Sequence, residues 1–162
     1  MIDIRQIEPH QAMAAKAVIY RVGHQVFREE MTLEESIALY ESRGRLQDVD
    51  DVQRVYFENG GTFLVLTDYE KIIGTGAIRR IDEETCELKR LWLLFEYQGR
   101  GLGYRMVQEL LMFARAAGYR CIRLETDRTY QNRAYSFYKR IGFYDIPRYG
   151  DNEDDTALEM KL

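Results

Sequence analysis

One junction constrains this chain more than any other. An apolar segment, Thr85–Leu94, runs into Gln98-Gly99-Arg100-Gly101-Leu102-Gly103, and an amphipathic segment follows at once. Three glycines in five residues let the backbone turn its N–H groups inward without side-chain obstruction. The segment behind them reads as a helix. Leu102, Met106, Leu110 and Ala114 form its inner stripe, Val107, Leu111 and Phe113 lie alongside, and Gly118 closes it. A helix start carries unpaired N–H groups and the positive end of the dipole. Strand, glycine loop and helix together predict an anion site with phosphate as its usual occupant; the alternative is a tight turn with no ligand. The Walker pattern is absent, because no Lys-Ser or Lys-Thr pair follows the glycines. The dinucleotide fingerprint is absent too, since the third glycine falls one position early.

Around this junction the pattern is that of a mixed α/β (α+β) chain. Ile2–Ile7 alternates as a short strand, and Ala14, Val18, Val22 and Val26 recur at helical spacing over about Gln11–Phe27. Thr32 and Glu35 have the spacing of a capping box for a helix to about Ser42. Residues 48–58 read either as a short helix or as an irregular connector. Thr62–Thr67 and Ile72–Ile81 form a hairpin, with Gly74 and Gly76 marking a bulge or a close backbone approach. After the long helix come a strand at Arg120–Thr126, a helix at Gln131–Ile141 and strands at Phe143–Ile146 and Thr156–Leu162. A strand–helix–strand unit implies one parallel pairing.

At 162 residues the chain is one domain of ordinary size, with 46% apolar and 31% charged residues. A formal charge of −4 argues against nucleic acid as a principal partner. No apolar run approaches the roughly 18 residues that span a bilayer, and the first residues lack a basic-then-apolar leader. Neither a membrane partner nor secretion is expected. Cys86 and Cys121 match no zinc spacing and read as two buried thiols in a reducing cytoplasm. His10 and His24 lie far from the glycine loop, and no metal is expected.

The motif Gln98-Gly99-Arg100-Gly101-Leu102-Gly103 resembles the [QR]-x-x-G-x-[GA] signature of the Gcn5-related N-acetyltransferase (GNAT) superfamily. Glu87–Leu93 before it and Ala134–Phe143 after it (AYSFYKRIGF) resemble that family's flanking strand and its A-x-x-x-Y-x-x-x-G-F signature. The resemblance covers Thr62–Phe143. It implies a splayed mixed sheet of six or seven strands with about four helices, one acyl-CoA N-acyltransferase domain over residues 1–162, and acetyl-CoA as co-substrate. The pyrophosphate would lie on the N–H groups of Gln98, Gly99, Arg100, Gly101, Leu102 and Gly103. The pantetheine arm would pair like an added strand with Leu91, Trp92, Leu93 and Leu94. A backbone N–H near Leu93 would serve the thioester oxygen. Tyr138 matches the family tyrosine and would protonate the leaving sulfur.

Glu87 matches the base glutamate of some members; an ordinary strand glutamate is the equal alternative, with ordered water as the base. Where members often carry Asn seven residues before the tyrosine, this chain has Gln131, with Asn132 next to it. Both are held as cofactor contacts. Arg100 and Arg105 are phosphate contacts or surface charges.

The acceptor would be a primary amine of a small molecule or amino acid. Phe27, Arg28, Arg79 and Tyr149 are its candidate contacts, with Glu29 and Glu30 nearby, and Arg79 suits a carboxylate. The alternatives are acetylation of a protein N-terminus or lysine, and a non-catalytic acyl-CoA sensor. Members of the family are often dimers, so a homodimer is an admitted partner.

Overall fold

The computed structural model describes residues 1–162. In chain order it contains β1 (Ile2–Gln6), α1 (Ala12–Val26), α2 (Leu33–Ser42), the single turns α3 (Gln47–Asp50) and α4 (Val52–Val55), β2 (Thr62–Asp68), β3 (Lys71–Arg80), β4 (Thr85–Leu93), α5 (Leu102–Ala116), β5 (Cys121–Asp127), α6 (Asn132–Ile141), β6 (Tyr144–Ile146) and β7 (Asp155–Lys161). The strands form one sheet in the order β1-β2-β3-β4-β5-β7-β6. Only β4 and β5, joined through α5, run parallel. This is the mixed sheet expected from the sequence, with seven strands and four helices of ten residues or more.

The sheet is splayed at one place. β4 and β5 pair only from Thr85↔Cys121 to Glu87↔Arg123 and then part. Just beyond that point, β4 carries one extra residue, since Ala77 faces Lys89 but Thr75 faces Trp92. Arg90 sits in that bulge at φ +55°, and the Thr75 hydroxyl donates to its carbonyl at 2.6 Å. Gly74 and Gly76 meet the expectation of a bulge or a close backbone approach: β3 carries an extra residue, Ile73, against β2 beside Gly74, and the β4 bulge lies opposite Gly76. Gly76 is small because a Cβ there would stand 2.9 Å from Leu110 and Met106 of α5, and one at Gly74 would stand 2.9 Å from the Trp92 carbonyl.

The capping box at α2 is present, with Thr32 and Glu35 each accepting from the other's backbone N–H at 3.2 Å. In α1 the buried stripe is Ala15, Val18, Ile19 and Val22, while Ala14 is exposed. A strict four-residue step drifts around a 3.6-residue helix, so the pattern runs off the inner face by Ala14. Lys16 ties α1 to its neighbours, donating to Glu41 at 2.6 Å and to Asp50 at 2.9 Å. Residues 48–58 are two helical turns and a 3-10 turn organised by polar anchors: Asp48 accepts from Tyr56 and from the Arg90 guanidinium at 2.8 and 3.0 Å. Of the two cysteines only Cys86 is buried; Cys121 is half-buried because its side chain lies on the less covered face of β5. Burial pushes their thiols up to about 12 and about 11. No helix is long and apolar enough to cross a membrane.

Candidate functional site

Where β4 and β5 part, a cleft of about 1000 Å³ opens, walled by the end of β4, the glycine loop, α6 and the C-terminal end of α1. The loop is built as its composition demands. Gly99 and Gly101 are left-handed, with φ +78° and +75°, and a Cβ on either would meet nothing within 4 Å. Gly101 is also the N-cap of α5. The result is an open concave stretch of backbone ending on a helix N-terminus, the geometry that takes an anion. The Gln98 side chain fastens the loop to the strand: its amide nitrogen donates to the Leu93 carbonyl at 3.0 Å, and its oxygen accepts from Arg133 at 3.4 Å.

Of the residues expected to hold a cofactor, Leu91, Trp92, Leu93, Gln98, Gly99, Gly101, Leu102, Gly103, Gln131 and Tyr138 line the cleft. Leu94, Arg100 and Asn132 are not among its lining residues. The Leu94 side chain is buried in the core and its N–H donates to the Ile73 carbonyl at 2.9 Å. Arg100 lies over the Tyr97 ring and donates to the Glu96 carbonyl at 3.1 Å. Asn132 is exposed at the first turn of α6. The Gln131 side chain is engaged locally, accepting from the Asp127 N–H at 3.1 Å. Arg105 is exposed and outside the cleft. The cationic lining comes instead from Arg28, Arg133 and Arg140. The last two were missed, although Arg133, Phe137 and Arg140 have the spacing of one helix face.

Tyr138 faces the cleft while being 6% exposed. Burial alone drives its phenol well above the usual tyrosine range, with no hydrogen-bond partner contributing. It is a protonated hydroxyl free to donate into the cleft. Glu87 does not line the cleft. It is buried rather than exposed, accepting from Arg79 at 3.2 Å and from the Tyr149 hydroxyl at 2.7 Å. Burial, then the Glu87 charge, keeps the Tyr149 phenol protonated. Arg79 and Tyr149 therefore gather at Glu87. Arg28, at φ +50°, lines the cleft, and the Phe27 ring packs 5.6 Å from Tyr130.

Two charged residues that the sequence reading passed over lie nearby. Glu125 of β5 is half-buried, and burial, then Asp155 and Glu87, raise its carboxyl above the ordinary range. Lys89 of β4 is half-buried, and burial, then Arg90, lower its ammonium. The imidazole of His24 bonds the Met31 carbonyl at 2.7 Å, and His10 is exposed beside Glu8.

Residues 24–143 match the acetyltransferase (GNAT) family. Human N-acetyltransferase 8B is 33% identical over 102 residues, which cover 59% of this chain and 44% of that protein. The chain spans about half the length of the curated relatives that it matches. Among solved structures, an acetyltransferase from Streptococcus agalactiae superposes with a TM-score of 0.83 at 23% identity, over 99% of this chain and 98% of that one. The PaiA N-acetyltransferase of Thermoplasma acidophilum, solved with coenzyme A, gives 0.80 at 20% identity, over 100% and 99%. At these identities the likeness is one of fold.

Proposed function

The chain belongs to the acetyltransferase (GNAT) family, and on that premise we propose that residues 1–162 act as one acyl-CoA N-acyltransferase domain. The reaction moves the acetyl group of acetyl-CoA to a primary amine of a small molecule or amino acid, by direct attack in a ternary complex. The observation that carries this reading is the glycine loop, two left-handed glycines over open space at the head of α5, facing a cleft with Tyr138 in its wall. The donor set suits a long ligand with phosphates at one end, and the coenzyme A complex of PaiA supports the choice.

Acetyl-CoA, when bound, supplies an activated acetyl thioester. The N–H groups of Gly99–Gly103 hold its phosphates, with Arg133 and Arg140 adding positive charge and Gln98, whose N–H is engaged by the Phe95 carbonyl, fastening the loop through its side chain. The backbone of Leu91, Trp92 and Leu93 takes the extended arm as a strand would, and a main-chain N–H near Leu93 polarises the carbonyl. Both main-chain groups of Leu94 are engaged, the N–H with Ile73 and the carbonyl with Tyr97, so it supports the loop from behind, and Arg100 and Asn132 offer main-chain groups only. Tyr138 donates its proton to the departing sulfur. Glu87 draws a proton from the acceptor amine directly or through ordered water, with Phe27, Arg28, Arg79 and Tyr149 around the acceptor. Of the two protons lost by an acceptor ammonium, one ends on sulfur and one in solvent.

The test is a titration with acetyl-CoA, followed by heat release and by melting temperature. Micromolar binding is expected, stabilising the fold by about 2.7 kcal/mol at a hundredfold excess over Kd. Gly103→Asp is the informative variant. A Cβ at Gly103 meets only Phe137, at 4.0 Å, and an acid suits the first turn of a helix. The free protein should melt unchanged while its Kd for acetyl-CoA rises by roughly 100-fold or more, through repulsion of the phosphates. A wild-type protein that ignores millimolar acetyl-CoA overturns the reading.

A further inference from the structure

Three guanidiniums, those of Arg28, Arg133 and Arg140, are the charged groups that line the cleft; no aspartate, glutamate, histidine or lysine does. Two of the three stand at the coenzyme end. Arg133 reaches Gln98 of the glycine loop at 3.4 Å. Arg140 lies on the same face of α6, beyond Phe137, the ring nearest to Gly103. Arg28 stands on another element, in the turn that follows α1, and neither the loop nor α6 accounts for it.

That turn is built to present Arg28. The Phe27 N–H donates to the Gly23 carbonyl at 2.9 Å, and the Glu29 N–H returns to the His24 carbonyl at 3.3 Å. The His24 ring bonds the Met31 carbonyl at 2.7 Å and ties the far side of the turn to α1. Phe27 packs on Tyr130, which lines the cleft from the segment between β5 and α6, so the turn is braced against a second wall. Glu29, the acid next in sequence, is taken up by the Ser36 hydroxyl of α2. Between these fixed neighbours Arg28 is left-handed, at φ +50°, a conformation that a residue with a Cβ adopts at a cost. Its side chain is exposed, lines the cleft and meets no partner of its own chain. Backbone strain held at a residue whose charge is left free in a cleft points to a ligand.

We propose that Arg28 holds a carboxylate of the acceptor, so that the acceptor is an amino acid and not a simple amine. The inference rests on the acetyltransferase reading and deepens it by naming the acceptor class. A guanidinium offers a carboxylate two parallel donors, which fix its orientation as well as its position. The coenzyme phosphates have the glycine loop, Arg133 and Arg140, which leaves Arg28 for the second substrate. The lack of an acid in the cleft wall then has a chemical consequence. Nothing there holds the acceptor amine as an ammonium, the form that cannot attack, and the binding energy comes from the other end of the molecule. Arg79, which the sequence offered for a carboxylate, is engaged by Glu87 and lies outside the cleft lining.

The experiment measures thiol release from acetyl-CoA with the common L-amino acids and with the amines obtained by removing their carboxyl groups. At least one amino acid should exceed its own amine by about tenfold or more in kcat/KM. Arg28→Gln should erase that preference by raising KM for the amino acid, with kcat and the Kd for acetyl-CoA little changed, and Arg28→Lys should restore part of it. Arg28→Gly should lose the preference too, yet melt no lower than the wild type, because glycine suits a left-handed turn. It carries the test if the glutamine variant fails to melt cooperatively. Four results overturn the inference while leaving acetyl-CoA binding by the wild type intact. They are amines used as well as amino acids, a preference that survives loss of the Arg28 charge, no turnover of either set, and a Kd for acetyl-CoA that rises in Arg28→Gln, which assigns the arginine to the coenzyme phosphates. Absence of acetyl-CoA binding removes the acetyltransferase reading and this inference together.

Discussion

At Tyr138 one hydroxyl separates a structural residue from a proposed general acid. Its ring packs edge-on to Phe143 at 5.7 Å and against Phe137 at 5.6 Å, contacts that a phenylalanine would keep. Its hydroxyl has no protein partner to lose. Tyr138→Phe should therefore melt no lower than the wild type and bind acetyl-CoA as well, while kcat falls by about 100-fold. Turnover at the wild-type rate would remove the acid role and leave Tyr138 as a core aromatic. The resemblance of Ala134–Phe143 to the family signature singles out this tyrosine among twelve. The environment of Glu87 was hidden, because Tyr149 reaches it from 62 residues away and Arg79 from the neighbouring strand.

Among the elements, β4 carries the site, and its bulge is what aims it. Arg90 takes a left-handed conformation that a non-glycine residue adopts at a cost. The bidentate pair with Asp48 and the bond from Thr75 hold it there. Asp48→Ala would leave a largely buried guanidinium unpaired, a loss of about 3 kcal/mol, read as a fall in urea midpoint at constant slope. Burial raises the Asp48 carboxyl, but the hydrogen bonds and charge of Arg90 outweigh it, and the net shift is downward. The stabilisation is thus complete above the ordinary aspartate value of about 3.9 and is lost as pH falls through the lower native value. Asp48→Ala should accordingly flatten the acid limb of the stability profile below about pH 4, with little change in its shape at neutral pH. Residues 48–58 resisted assignment from sequence because this clamp, made 42 residues away in the chain, organises them where apolar periodicity does not.

For the whole molecule, the decisive feature is that a seven-stranded sheet comes apart between β4 and β5 after three residue pairs. Past Glu87, β4 has no partner on that side, and its main-chain groups face the cleft as a sheet edge does. A ligand arm that pairs with this edge restores what the missing strand would have supplied. Hydrogen exchange should then slow on addition of acetyl-CoA in two stretches, Leu91–Leu93 and Gly99–Gly103, while the amides of Thr85–Glu87, already inside the sheet, exchange as before. Protection spread evenly over the chain would point to global stabilisation instead and count against strand-like docking.

What neighbouring residues settle among themselves is legible along the chain. The capping box of Thr32 and Glu35, the stripe of α5, and the left-handed turns at Gly99 and Gly101 are written in runs of a few residues, because capping, helical periodicity and backbone sterics are short-range. Tertiary structure decided which charges meet. It buried Glu87 under Tyr149, turned Arg100 away from the cleft, and brought Arg133 and Arg140 into it. Those outcomes depend on strand register and on where two parallel strands stop pairing. Such distances are set by the packing of the whole sheet, and no local run of residues encodes them.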